Sequence, residues 1–352
     1  MSDFSNHTWQ RRQLINKSIF NTSLLLGAFS FSIINQSVQA QTKSIVAVEP
    51  LVCDVVQAIA PPSTPVTCLI NREQDVHNLK ISPKQAQKLN SASQIITLGK
   101  EMTPAIKNWL NNPITVVVGV SAIKIEKHQN GHDSHRKNAD IHLVEKHDGH
   151  DHHAHGGLDP HVWHNPRNII KIGKIIYENI KKDYAFSDKN VLSKRYQTFQ
   201  TILEDLYQWI EQQVSTIPPS QRTIVSKHKS MEYFGDAFGI QTISLLDFIG
   251  HSSSLRPQNI SSVLRVLKEG NIQVIFAEQK PPSKLLRNLS KQTSIPISSK
   301  QIFVDGLMPK GNTISAAVHN TCTIVNSLGG LCFKKEGKLL ESRWNSLIVE
   351  LD

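Results

Sequence analysis

The sequence predicts an α/β protein with two Rossmann-like lobes, mostly parallel sheets and one long α-helix that bridges the lobes. Three observations lead to this prediction. Short Val- and Ile-rich runs alternate with helical patterns on both sides of residues 187–217, which is typical of buried parallel strands. Residues 187–217 themselves carry apolar side chains at steps of three and four, which indicates a single helix about 40 Å long. The length of 352 residues and the 39% apolar content allow about two domains with packed cores.

The first 40 residues predict a signal peptide that is removed after export. Arg11, Arg12 and Lys17 form a positive region, Ile19–Ile34 is apolar and uncharged, and Val38–Ala40 is typical of a small-residue cleavage site. A membrane anchor is the alternative, but a spanning helix needs about 20 strongly apolar residues and this run is shorter. No cysteine stands at the cleavage point, so a lipoprotein anchor is not indicated and we expect a periplasmic protein.

Residues 41–186 form the predicted N-terminal lobe. Ser82 and Pro83 are typical of a helix start, as N-cap and first helical residue. The predicted strands are 44–49, 65–70, 94–98 and 115–120, and the predicted helices are 51–60, 82–90, 104–110 and 165–184.

A segment of different composition interrupts this lobe. Residues 128–155 contain nine histidines in 28 positions, among Asp, Gly, Asn and Lys. So few apolar side chains cannot form a core, and the composition predicts a loop. A solvated linker that happens to contain histidine is the alternative to a metal-binding role.

The linking helix, residues 187–217, ends at Pro218-Pro219, because proline cannot continue a helix. Residues 218–352 form the predicted C-terminal lobe. Its predicted strands are 223–226, 241–246, 274–277 and 295–298, and its predicted helices are 231–238, 257–269, 283–293 and 313–327.

The four cysteines lie in two local groups, Cys53 with Cys68 and Cys322 with Cys332. Four cysteines allow three pairings, and an oxidising compartment favours disulfides. A cysteine zinc site is less expected because no C-x-x-C spacing is present. We therefore expect the local pairs 53–68 and 322–332.

The net charge of +10 does not indicate a nucleic-acid partner. The basic residues are spread along many helices, and no run of Lys and Arg alternates with aromatic side chains. Charge of this kind favours solubility and weak association with anionic surfaces.

Four potential metal ligands stand after predicted strands. His77, His161 and His228 each follow a strand, and Asp305 follows the last short one. Ligands of open α/β sheets bind beyond the carboxyl ends of the strands, so these side chains can converge in the cleft between the lobes. Three imidazoles with one carboxylate suit Zn²⁺, whereas Ca²⁺ prefers oxygen ligands. A single histidine at a strand end is more often structural, so the prediction depends on the whole set.

These residues occur in motifs that resemble a known family. The chain resembles the zinc-binding, ZnuA-like branch of the metal-binding receptors of bacterial ABC importers (cluster A-I, or cluster 9), over nearly all of residues 44–330. The Asp-Pro-His-Val-Trp block is the most specific of the motifs. In chain order they are Asp75-Val-His77 with Ser82-Pro83, Asp159–Pro166, His228 with Tyr233-Phe234 and Phe238-Gly239, Phe276–Glu278 and Val304–Leu307.

The resemblance implies a monomeric, two-lobed receptor that captures Zn²⁺ as a transported ligand and delivers it to an inner-membrane ABC permease. It implies His77, His161 and His228 as ligands, with Asp305 as an acidic fourth ligand, although zinc-binding members also use water or another acid, such as Glu278, in that place. Manganese-selecting members usually carry a carboxylate where His228 stands, so the histidine favours zinc. The resemblance also implies that Glu278 supports a ligating histidine, and it suggests the hypothesis that residues 128–155 collect zinc near the site or sense its excess.

The sequence departs from the family pattern at two positions. Val76 stands where proline is common, and His164 replaces an apolar residue after Trp163. His164 offers an auxiliary ligand in principle, but its position three residues after His161 favours a solvent-facing side chain.

Two other functions remain open at this point. A zinc hydrolase would need an open coordination position and a general base, for which Glu278 or Asp75 is available. Neither H-E-x-x-H nor G-x-S-x-G is present, which disfavours an enzyme. A metal-binding adhesin or buffer without transport is the second alternative, and binding to a permease would distinguish it from a receptor.

Overall fold

The structure is a computed structural model that describes residues 43–123, 159–183, 189–249 and 257–349. The predicted signal peptide, residues 1–40, and the histidine-rich segment, residues 128–155, lie outside the described residues. The lobe boundaries at 41–186, 187–217 and 218–352 stay predictions.

The N-terminal lobe contains a four-stranded parallel sheet in the order β2-β1-β3-β4. The two central strands, β1 and β3, are buried along their whole length, as expected for a sheet covered on both faces. The strands are β1 (Ile45–Ala47), β2 (Val66–Cys68), β3 (Gln94–Thr97) and β4 (Thr115–Val117). This arrangement confirms the predicted α/β class with parallel pairing.

The C-terminal lobe has a shorter sheet than the sequence predicts. Strands β5 (Thr223–Ser226) and β6 (Gln241–Ser244) pair in parallel. The expected strands at 274–277 and 295–298 appear only as isolated parallel bridges, from Val225 to Ile275 and from Ile275 to Ile297. Pro296 lacks an N–H, so this run cannot form a continuous ladder. The predicted strand 241–246 also stops early, because Leu245 already begins a helix.

The described helices cover both sheets. In chain order they are α1 (Pro50–Ile59), α2 (Pro83–Ser91), α3 (Pro166–Asp183), α4 (Lys189–Ser215), α5 (Glu232–Phe238), α6 (Leu245–Ile249), α7 (Pro257–Glu269), α8 (Lys284–Thr293), α9 (Thr313–Ser327) and α10 (Lys334–Val349). Residues 104–109 form a 3₁₀ helix instead of the predicted α-helix. No described helix is long and apolar enough to cross a bilayer.

Helix α4 is the predicted bridge. It packs against α1 and α3 of the N-terminal lobe and against α5, α9 and α10 of the C-terminal lobe. Its buried stripe includes Leu192, Phe199, Leu203, Leu206 and Ile210, spaced as one helix face requires. With 27 residues it spans about 40 Å and connects the lobes as one rigid element.

Helix α10 was not expected from the sequence. Its apolar face has few residues, and Gly337 interrupts the pattern. Leu340, Trp344 and Leu347 are nevertheless buried in the core. The Trp344 indole N–H donates to the buried Asp54 carboxylate at 3.1 Å, so α10 is joined to α1 of the other lobe.

Both expected disulfides are present, and this prediction is confirmed. Cys53 of α1 is bonded to Cys68 of β2, and Cys322 of α9 is bonded to Cys332. The chain's four cysteines are therefore all paired.

Candidate metal centre

The four predicted ligands come from four separate loops. His77 lies between β2 and α2, and His161 immediately precedes the 3₁₀ turn Val162–His164. His228 follows β5, and Asp305 lies in the loop that leads to α9. Because parallel strands end at the same edge of a sheet, each lobe delivers its ligand loops to one side.

The structure brings these four side chains together. Their ligand atoms all lie within 4.8 Å of one another, and no other such cluster occurs in residues 43–123, 159–183, 189–249 and 257–349. The Asp305 Oδ1 atom is 3.4 Å from His77 Nε2, 3.1 Å from His161 Nε2 and 3.2 Å from His228 Nε2. The Nε2 atoms of His77 and His161 are 3.3 Å apart. Tetrahedral ligands about 2.0–2.1 Å from zinc are about 3.3 Å from each other, so these separations suit one ion.

A second carboxylate orients each of two histidines. The Asp159 Oδ1 atom is 2.8 Å from His161 Nδ1, and Glu278 Oε2 is 2.8 Å from His228 Nδ1. Donation from Nδ1 to a carboxylate directs Nε2 toward the cluster and makes it a better metal ligand. Glu278 therefore stands where the resemblance implies, beside a histidine.

The role of Asp159 was missed at the sequence level, although the spacing contains the signal. Asp159 Oδ1 accepts the backbone N–H of His161 at 3.0 Å, and Asp75 Oδ1 accepts that of His77 at 2.9 Å. Both Asp-x-His motifs thus form the same local turn, in which the aspartate fixes the histidine backbone. Asp75 shapes its loop in this way and is not positioned as a general base.

The charges of the cluster are strongly coupled. Burial disfavours ionisation of Asp305, but hydrogen bonds with His161, His228 and His77 outweigh it and hold the pKa well below the usual value. Burial opposes protonation of His228, yet its hydrogen bonds with Asp305 and Glu278 raise its pKa to about 10. Burial also opposes protonation of His161, but Asp159 and Asp305 raise its pKa. The metal-free site therefore favours the protonated imidazoles of His161 and His228 beside these carboxylates.

The expectation that His164 faces solvent is wrong. The side chain is buried, and its Nε2–H donates to the backbone carbonyl of Val304 at 3.2 Å. Burial lowers the pKa of His164 to about 4, so the ring is neutral. Its Nε2 atom is directed at Val304 and not at the ligand cluster, because the turn Val162–His164 rotates the side chain toward the opposite lobe.

Replacing Glu278 with glutamine should weaken zinc binding by about 10- to 100-fold at pH 8, the usual cost of losing a carboxylate behind a ligating histidine. The amide keeps the size of the side chain but removes the charge that polarises His228. Competition with a chromogenic chelator measures the dissociation constant. E341Q, which removes a carboxylate from the distant helix α10, is the control. Equal affinity of E278Q and wild type would contradict the supporting role.

Comparisons with known proteins agree with the fold. The manganese-binding lipoprotein MntA of Halalkalibacterium halodurans is 24% identical over 280 residues, which cover 78% of this chain and 85% of MntA. The periplasmic zinc-binding protein TroA of Treponema pallidum superposes with a TM-score of 0.66 at 18% identity, covering 82% of this chain and 99% of TroA. The Fe(III)-bound YtgA of Chlamydia trachomatis superposes with a TM-score of 0.63 at 19% identity, and the match covers 83% of this chain and 99% of YtgA. The two structures establish the fold, which is two-lobed with a bridging helix.

The sequence profile described as "Zinc-uptake complex component A periplasmic", ZnuA, matches residues 45–327. This range contains both sheets, the bridging helix and all four clustered side chains. The chain therefore belongs to the ZnuA family, the substrate-binding receptors of metal ABC transporters, which are receptors and not enzymes.

Proposed function

We propose that this receptor captures Zn²⁺ in the periplasm and delivers it to its ABC permease for uptake. The observation that carries the proposal is the cluster of three imidazole nitrogens and one carboxylate oxygen within 4.8 Å. His77, His161, His228 and Asp305 are the proposed ligands. Zn²⁺ is the transported substrate, and the protein makes and breaks no covalent bond.

The donor set supports zinc over manganese. Nitrogen-rich sites of four ligands suit zinc, whereas manganese favours six mostly oxygen ligands. The relatives do not decide this point, because their names specify manganese for MntA, zinc for TroA and iron for YtgA. The imidazole of His228 therefore carries the argument for zinc within this chain.

The buried position of the cluster supports tight capture. His161 is only 3% exposed, and the side chains of His77 and His228 are about one-fifth exposed. Zinc held here is partly shielded from water, and Asp159 and Glu278 accept the Nδ1–H groups of two neutral imidazole ligands, which makes these imidazoles better ligands. The bridging helix α4 limits hinge bending, so we expect only modest lobe movement on release.

The proposed location depends on the N-terminal residues and on the family. The predicted signal peptide, residues 1–40, would export the chain, and the two disulfides suit an oxidising compartment. Zinc collection by residues 128–155 stays a prediction.

Growth of the source organism tests the proposal better than affinity alone. Zinc binds nitrogen sites more tightly than manganese whatever the biological role, so relative affinity is not decisive. A strain lacking the gene should need more zinc for growth, and added manganese should not restore it. The wild-type gene should restore growth at low zinc, and the H228A gene should not. A manganese requirement instead of a zinc requirement would overturn the proposal.

A further inference from the structure

His164 connects the two ligand-bearing segments of opposite lobes. It lies three residues after His161, and it donates to the carbonyl of Val304, the residue before Asp305. Both partners are buried, with His164 at 9% and Val304 at 3% exposure. One hydrogen bond thus links the backbone that carries Asp305 to the turn that carries His161.

The residues just before Val304 are held from within their own lobe, whereas Leu307, after Asp305, donates its backbone N–H to the Arg72 carbonyl of the other lobe at 3.1 Å. Ile302 donates its backbone N–H to Ala277 at 2.8 Å. The Asn320 side chain accepts from the Phe303 N–H at 2.8 Å and donates to the Phe303 carbonyl at 2.7 Å. The last peptide carbonyl before Asp305 is the one that His164 of the other lobe holds. A buried carbonyl without a partner is unfavourable, so this hydrogen bond favours the loop position in which the Val304 carbonyl faces His164.

Packing of neighbouring rings also restricts the orientation of the His164 imidazole, which donates the hydrogen bond. The His161 and Trp163 rings have centroids 5.4 Å apart, and Trp163 and His164 are separated by the same distance. Trp163 and His164 face Phe303 and Leu307 across a small cavity of about 30 Å³. The His164 side chain is itself buried, so its neighbours restrict rotation of the imidazole away from Val304.

We propose that His164 is a positioning residue, which places the Asp305 carboxylate against the metal by holding the Val304 carbonyl across the cleft. This inference rests on the proposed function, because it assigns a lobe-to-lobe hydrogen bond to the same site. It predicts that zinc affinity depends on the ability of residue 164 to donate an N–H to the Val304 carbonyl, and not on binding of residue 164 to the metal.

The test compares two substitutions that differ in this donor. H164L removes the N–H, and H164Q retains one at similar reach. We expect H164L to bind zinc about 10- to 100-fold more weakly at unchanged stoichiometry of the tight site, and H164Q to stay within about threefold of wild type. Cobalt(II) serves as an optical probe, and its visible absorption should change in H164L because the carboxylate moves. H164M replaces H164L if the latter does not fold.

His319 provides the matched control. Its Nε2–H donates to the Gln301 carbonyl at 2.9 Å, so H319L removes the same kind of hydrogen bond from the same loop at four residues from Asp305. Affinity of H164L within threefold of wild type, equal weakening in H164Q, or equal weakening in H319L would each overturn the inference. Failure of the proposed function would look different, since wild type itself would then lack a tight zinc site.

Discussion

Replacing His161 with alanine should weaken zinc binding by more than about 100-fold, a larger loss than removal of a supporting carboxylate causes. His161 is the least exposed of the four clustered side chains, at 3%. Its Nε2 atom lies 3.3 Å from His77 Nε2 and 3.1 Å from Asp305 Oδ1, so the substitution removes one of the four clustered ligand atoms. Isothermal titration with a competing chelator measures the affinity of the tight site.

The control must separate loss of a ligand from loss of a buried histidine. H319A removes a half-buried histidine that donates to a backbone carbonyl outside the cluster, and it should bind zinc as wild type does. H161A also leaves Asp159 buried without its imidazole, so its metal-free melting temperature should fall. Tight zinc binding by folded H161A would contradict the ligand assignment.

The features of this site that could be predicted from the sequence depend on residues close together in the chain. His228 follows a strand whose bounds, Thr223–Ser226, agree with the prediction. A short run of β-branched residues between a proline turn and a helix favours a buried strand. The two Asp-x-His turns are local as well, since each aspartate bonds a backbone N–H two residues away. Local rules therefore place the ligands at the sheet edges, and the family resemblance selects which histidines matter.

The parts that could not be predicted depend on the opposite lobe. His164 is buried because the Val304 carbonyl, 140 residues later, accepts its N–H, and no local pattern contains that partner. Helix α10 is likewise fixed by Trp344, whose indole bonds Asp54, 290 residues earlier. Polar groups that find distant buried partners override the local preference for solvent. The sequence therefore predicts the ligands better than the contacts that hold the two lobes around them.

Zinc affinity should rise steeply with pH between 6 and 8, because binding displaces protons from the site. Zinc needs neutral imidazole, whereas the pKa of His228 in the metal-free protein is about 10 and that of His161 is also raised. Asp305 releases no proton in this range, since its pKa lies well below the usual value. Each displaced proton makes the dissociation constant change about tenfold per pH unit, so one to two protons give a slope of one to two decades.

Proton release can be measured by calorimetry in two buffers of different ionisation enthalpy at pH 7, and the apparent heat of binding should differ between them. E278Q offers an internal check. Glu278 raises the pKa of His228, so its loss should reduce the protons released and flatten the pH slope. The affinity deficit of E278Q should then be largest at pH 8 and smaller at pH 6. Equal heats of binding in both buffers, together with a dissociation constant that does not change with pH, would contradict the prediction.

Protonation of His228 opposes zinc binding, but it stabilises the metal-free protein. A folded-state pKa raised above the ordinary histidine value of 6.5 contributes stability that is present below pH 6.5 and is lost as pH rises toward 10. The zinc-bound protein has no such proton to lose from His228, and its affinity for the metal grows over the same range. The difference in melting temperature between the zinc-loaded and metal-free protein should therefore widen from pH 6 to pH 8. Because protons and zinc compete for the same imidazole nitrogens, the carboxylates that keep the empty site stable at acid pH also make it release zinc there.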